Sequence, residues 1–162
     1  MLASCSTPKQ TPEQRYKAAQ ELFNQTTKLY HLPSAQASGA ERVKLLEEAA
    51  RGYEQLLNRY PDQPFWCAQA LRSLGNVRAD QGRLDDAIQC YRNVASKYPG
   101  QDWEVVQAWK SAADLLWEDG RRDEALEFYR KIVERFDTPN ASQVIQTIVR
   151  GAKAKLAQEN KK

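Results

Sequence analysis

A single histidine, His31, in 162 residues removes most metal and acid–base chemistry from consideration. Zinc sites built on two or three histidines cannot be assembled, and the H-E-x-x-H signature is absent. Any Ser/His or Cys/His pair would have to use His31, which lies in a stretch, His31–Gly39, that reads as a loop. It is therefore expected as a surface histidine, since geometry and partners are needed before a role. Glycine is equally sparse: Gly39, Gly52, Gly75, Gly82, Gly100, Gly120 and Gly151 cannot be arranged into G-x-G-x-x-G or a Walker A loop. Neither sign of charge dominates, with 24 basic against 21 acidic residues and a net charge of +3. That is no basic stripe for nucleic acid. The one uneven region is the tail Arg150–Lys162, where Glu159 is the sole acid. The paired acids Asp85-Asp86 and Glu118-Asp119 read as solvated helix ends. No apolar run is long enough to cross a membrane. With no catalytic motif, the chain is expected to be a non-enzyme without cofactor or metal.

What is present is ordinary for a folded protein: 41% apolar and 28% charged residues, in a length that suits one domain. A chain of this length buries roughly 70% of its unfolded surface and needs no staple. The periodicity is helical nearly throughout. Thr11-Pro12-Glu13-Gln14 reads as a capping box with proline at the first helical position. The helix that it opens carries Tyr16, Ala19, Phe23 and Thr26 or Tyr30 on one side. Ser38-Gly39-Ala40-Glu41 reads as a second box, opening a helix with Val43, Leu46, Ala49, Ala50, Tyr53, Leu56, Leu57 and Tyr60 at i, i+3, i+4 spacing. Pro61 stops it. No stretch alternates long enough for a strand, so the chain is read as all-α.

The chain also repeats itself at an offset of 38 residues: Ala49, Ala87 and Ala125; Tyr53, Tyr91 and Tyr129; Leu56, Val94 and Ile132; Tyr60, Tyr98 and Phe136. Leu71, Leu74, Gly75 and Gly82 are matched by Trp109, Ala112, Ala113 and Gly120. Each unit reads as a helical hairpin. A small residue, Gly75 or Ala113, lets two helices approach, and Tyr91 or Tyr129 fills the space beside it. Gly82 and Gly120 sit where the first helix must end in a left-handed residue.

These positions, from Leu71 through Gly75, Gly82, Ala87 and Tyr91 to Pro99 and again from Trp109 to Tyr129, resemble the tetratricopeptide repeat. The resemblance implies a solenoid of three helical hairpins and a C-terminal capping helix in a right-handed superhelix. Its units are expected at 11–61 (degenerate), 62–99 and 100–137, with a flexible tether at 1–10, a capping helix at 138–158 and a basic tail at 159–162. In the capping helix, Val144, Ile145, Ile148, Val149, Ala152 and Leu156 are read as one apolar face, opposite Arg150, Lys153 and Lys155; a solenoid needs such a lid over its last repeat. Trp109, Tyr91, Tyr129, Leu74 and Leu116 are expected to be buried. Cys67 and Cys90 fall roughly nine residues, or ~13 Å, apart along the hairpin axis and are expected as free, buried thiols.

The resemblance also implies a function: a non-catalytic scaffold whose concave wall, built from the first helix of each repeat, holds a segment of another protein. Carried over by register, that wall comprises Gln69, Arg72, Asn76 and Asp80, then Gln107, Lys110, Asp114, Trp117 and Glu118, with Trp117 as an anchor. The carboxylate clamp of co-chaperone repeats is incomplete, because Ser73, Gln107 and Ser111 stand where its Asn, Lys and Arg belong. A period of 38 with recurring Tyr-Pro is similar to BamD-like and Tol–Pal-associated repeat lipoproteins of Gram-negative envelopes. Leu2-Ala3-Ser4-Cys5 resembles a lipobox, which makes Cys5 a candidate lipidation site and places the protein at the periplasmic face of an outer membrane. If Met1 is the true start, no export signal precedes Cys5. A cytoplasmic adaptor of co-chaperone type is then the alternative.

Overall fold

The computed structural model describes residues 10–159. Cys5, and with it the lipidation site, lies outside the described residues. The capping box at Thr11 forms: the Thr11 hydroxyl accepts from the Gln14 amide at 3.2 Å, and the Gln14 side chain accepts from the Thr11 amide at 2.8 Å. It opens α1 (Pro12–Thr26), which runs without interruption into a π-helical turn, Thr27–His31, and the one-turn α2, Leu32–Ser34. Pro33 accounts for the π turn. It has no N–H to give Leu29 and its ring would strike that carbonyl. The preceding amide, that of Leu32, reaches back five residues to Thr27 instead. The expected loop at His31 is thus largely helical. His31 itself is half-buried rather than on the surface, its Nδ1 2.9 Å from the Tyr53 hydroxyl and its ring edge-on to Tyr53. Burial lowers its pKa.

The chain then turns into α3 (Gly39–Arg59), followed by α4 (Pro64–Asp80), α5 (Leu84–Lys97), α6 (Asp102–Glu118), α7 (Arg122–Phe136) and α8 (Gln143–Glu159). Ser38 occupies the N-cap of α3, but its hydroxyl accepts no bond there, so the second capping box does not form. Gly39 enters the helix at φ +54°, which disturbs the regular first turn such a box requires. Gly82 and Gly120 end α4 and α6 in the left-handed region, at φ +74° and +82°. In both turns the next amide, of Arg83 or Arg121, reaches back five residues to Arg78 or Leu116 at 2.9 Å, the bond that closes a helix ending in glycine.

Successive helices pack antiparallel as hairpins: α1 with α3, α4 with α5, α6 with α7, and α8 against α7. The first helices also touch in sequence, α1 to α4, α4 to α6 and α6 to α8, whereas α3, α5 and α7 have almost no direct contact with one another. A stack drawn together along one side curves toward it, so the wall of α1, α4, α6 and α8 is concave. The chain is an all-α solenoid.

The core runs along the stack. Tyr91, Tyr129, Leu74 and Leu116 are buried as expected. Trp109 is only half-buried: its edge meets Phe136 at 6.0 Å and the Arg135 guanidinium lies over it at 5.8 Å, leaving the rest of the indole to solvent. Within α8, Val149 and Ala152 are buried and Ile145, Ile148 and Leu156 half-buried, but Val144 points outward, because the helix begins at Gln143 and carries it off the packed face. Cys67 and Cys90 are free thiols. Cys67 is buried and donates to the Tyr60 carbonyl at 3.1 Å; Cys90 is half-buried.

Two close approaches carry the hairpins. A Cβ at Gly75 would lie 2.5 Å from Tyr91 Cε1, so the ring fits only because position 75 has no side chain. In the first hairpin the exchange is inverted. Thr26 supplies the bulk, and a Cβ at Gly52 would lie 2.4 Å from its hydroxyl oxygen. Gly52→Ala is expected to lose stability, because overpacking of about 1–3 kcal/mol outweighs the helix-propensity gain of about 1 kcal/mol. Adding Thr26→Ala to that chain should restore stability above the single variant. Urea unfolding of the two chains checks both signs.

A candidate protein-binding groove on the concave wall

On α4 the residues Gln69, Arg72, Asn76 and Asp80, and on α6 the residues Gln107, Lys110, Asp114, Trp117 and Glu118, follow one flank of each helix at three- or four-residue steps. The structure engages most of them internally. Arg72 Nε donates to Glu104 Oε2 at 2.5 Å, tying α4 to α6, and Glu104 is only 3% exposed. Asp80 pairs with Arg42 of α3 at 3.1 Å. Lys110 pairs with Asp114 one turn on. Trp117 is enclosed by its own chain: the Arg122 guanidinium lies 4.2 Å and the Lys155 ammonium 4.3 Å from the ring centroid, and Tyr129 meets it edge-on. Gln69 and Gln107, half-buried, and Glu118, exposed, make no side-chain hydrogen bond or ion pair among the described residues. Their polar groups are available to a ligand.

Asn76 and Asp114 serve a second purpose that sequence reasoning missed. The Tyr91 hydroxyl donates to Asn76 Oδ1 at 2.7 Å, and the Tyr129 hydroxyl donates to Asp114 Oδ1 at 2.8 Å, each across 15 residues of chain. Burial pushes both phenols well above their usual pKa. The third tyrosine of the series, Tyr53, bonds Thr27 at 2.9 Å across 26 residues. The difference, 26 less 15, puts an 11-residue insertion in the first hairpin and aligns Thr27 with Asn76 and Asp114. The signal in the sequence was the spacing from each repeated tyrosine to a polar residue; the insertion broke it in the first unit.

That alignment makes α1 comparable with α4 and α6 residue by residue. Tyr16, Phe65 and Trp103 then occupy one position near the start of the three first helices, and Gln20, Gln69 and Gln107 another, one turn further on. The three aromatics are 41%, 39% and 44% exposed. Trp66 lies behind two of them, its ring 5.7 Å from Tyr16 and 4.9 Å from Phe65, with its buried indole N–H unpartnered among the described residues. Phe65 and Trp103 both line a groove of about 480 Å³, together with Gln69, Arg72 and Gln101.

Stacked hairpins with a curved, polar and aromatic inner wall define an interaction solenoid. Residues 66–138, a little under half of the chain, match the tetratricopeptide repeat family. Repeats of that family are modules for binding proteins and peptides. No curated protein matches the chain.

Proposed function

We propose that this protein is a non-catalytic scaffold that holds a segment of another protein against the concave wall of α4 and α6. The observation that carries the reading is the wall itself: half-buried Gln69 and Gln107 with unused amides, beside aromatics left two-fifths exposed. Tyr16 and Phe65 also pack on buried Trp66, but the Gln69 and Gln107 side chains make no hydrogen bond among the described residues. We further propose that the scaffold is a lipoprotein of a bacterial envelope complex, tethered through acyl chains on Cys5. The support is the sequence Leu2-Ala3-Ser4-Cys5 followed by the polar Ser6-Thr7-Pro8-Lys9-Gln10. Two or more chains would hold it stably at a membrane, whereas one would not.

A photo-reactive residue placed at Gln107 in the native host tests the groove, with the same residue at exposed Arg130 on the opposite wall as its control. Crosslinks to a partner at position 107 and none at position 130 are expected; the reverse pattern moves binding to the convex face. Mass spectrometry of protein from the same cells reads the N-terminus. Cys5 as the first residue, carrying acyl chains, is expected. An unmodified Met1 start would favour a cytoplasmic adaptor.

A further inference from the structure

We infer that the seam between α6, α7 and α8 is an anchor site for a phenylalanine side chain, with an acidic residue beside it, on the bound partner segment. The inference rests on the concave wall being the binding face and names one contact made there. α8 packs against α7 and α6 as α6 packs against α5 and α4, so this seam repeats one built earlier in the stack. What differs is its filling. In the two earlier seams a serine meets the tyrosine hydroxyl, Ser73 at Tyr53 and Ser111 at Tyr91. The chain before α8 is two residues longer, so Ile145, Ile148 and Ala152 take the places of the buried Val105, Ala108 and Ala112. Gly151 then falls where the serines stood, and Thr147 where Gln69 and Gln107 stood. The smaller groups leave a cavity of about 180 Å³ against Tyr129, walled by Ile132, Ile148 and Ala152. A Cβ at Gly151 would meet no atom within 4 Å.

Volume and lining select the ligand. A cavity of about 150 Å³ with aliphatic and aromatic walls takes up benzene, so this one has room for a phenyl ring. An alanine side chain would leave most of it empty and forfeit the contacts that its walls offer. The charged lining consists of Lys110, Asp114 and Lys155. Lys110 and Asp114 neutralise each other, and Asp114 also accepts from the Tyr129 hydroxyl. Lys155 is the charge left over. Its ammonium lies 4.3 Å from the Trp117 ring centroid and pairs with no carboxylate among the described residues. Glu118, exposed on the same flank of α6, forms no pair with it. The indole contributes no anion, so a carboxylate next to the bound ring complements this rim, and a basic neighbour is repelled.

The test titrates the full chain, labelled with ¹⁵N and with ¹³C at its isoleucine methyl groups, with three end-blocked peptides. They are Gly-Ser-Phe-Glu-Ser-Gly, the same with alanine for phenylalanine, and the same with lysine for glutamate. The first is expected to move the Gly151 amide and the Ile132 and Ile148 methyl signals. It should bind about tenfold or more tightly than the alanine peptide, and about threefold or more tightly than the lysine peptide. Gly151→Leu fills the cavity from a position with open space around it and replaces a poor helix former. It should weaken the first peptide about tenfold while the thermal midpoint holds or rises, a combination that unfolding cannot produce. Lys155→Gln should remove the preference for glutamate over lysine and keep that for phenylalanine over alanine. Equal binding of the phenylalanine and alanine peptides, equal binding of the glutamate and lysine peptides, or affinity unmoved in Gly151→Leu overturns the inference. If no peptide binds while position 107 still crosslinks a partner, the anchor site is wrong and the groove reading stands. Loss of both removes the groove reading as well.

Discussion

Arg72→Ala is expected to destabilise the protein by about 3–5 kcal/mol, the penalty for removing one partner of a buried ion pair. Glu104 is 3% exposed, and its carboxylate accepts from Arg72 Nε at 2.5 Å. Without the guanidinium, that charge stays in the seam between α4 and α6 with no counter-ion. Replacing both members, as Arg72→Met with Glu104→Leu, should recover most of the loss, since an apolar pair of similar volume carries no desolvation penalty. Urea unfolding followed by helical circular dichroism measures both. If Arg72→Ala moves the midpoint no more than an exposed substitution does, the pair is not structural and Arg72 returns to the ligand-binding set. The outcome also bears on function. Loss of partner binding in an Arg72 variant would report unfolding as readily as a missing contact, which is why Gln69 and Gln107 are the cleaner probes.

Tyr91→Ala should lose a comparable amount, about 3–5 kcal/mol, as a core aromatic truncated to a methyl group. The ring is 2% exposed and occupies the space that Gly75 leaves open, and the Asn76 side chain loses the donor at 2.7 Å. Tyr91→Phe separates the terms. It keeps the ring and removes only the hydroxyl, and about 1 kcal/mol is expected for one such bond. Equilibrium unfolding of the pair gives the ratio. A Tyr91→Ala loss below that of Tyr91→Phe would mean that the ring is not a packing element of the hairpin.

The hairpins themselves were legible because their signals are local and repeated. Glycine at 82 and 120 answers to a backbone constraint that acts within a few residues, and the structure places both in the left-handed region. Of the readings that failed, the Ser38 box failed for a local reason and the others depended on what lies across the gap. Ser38 has the right residue three places on, yet the glycine between them enters the helix with positive φ. His31 sits in a proline-containing stretch that would be a loop in isolation. Pro33 draws that stretch into a π-helical turn, and packing against Tyr53 leaves His31 half-buried there. Trp109 aligns with a core position, but no neighbour closes over its outer face.

The candidate site divides the same way. Spacing along α4 and α6 was enough to identify one flank on each helix, because helical geometry ties positions three and four apart to a common face. Which of those side chains are free to bind was not in the sequence. Arg72, Asn76, Asp80, Asp114 and Trp117 are engaged by residues distant along the chain, namely Glu104, Tyr91, Arg42, Tyr129 and Lys155. The correspondence of Tyr16 with Phe65 and Trp103 stayed hidden for a related reason: the loop of the first hairpin reads as about ten residues longer from the sequence, and the Tyr53–Thr27 contact fixes the shift at 11. By itself, then, the sequence determined the helices, their pairing and the repeat, since these follow from local backbone preference and apolar periodicity. The tertiary structure alone decided which polar groups are neutralised and which aromatics are left uncovered, because both depend on contacts between residues that are neighbours only after folding.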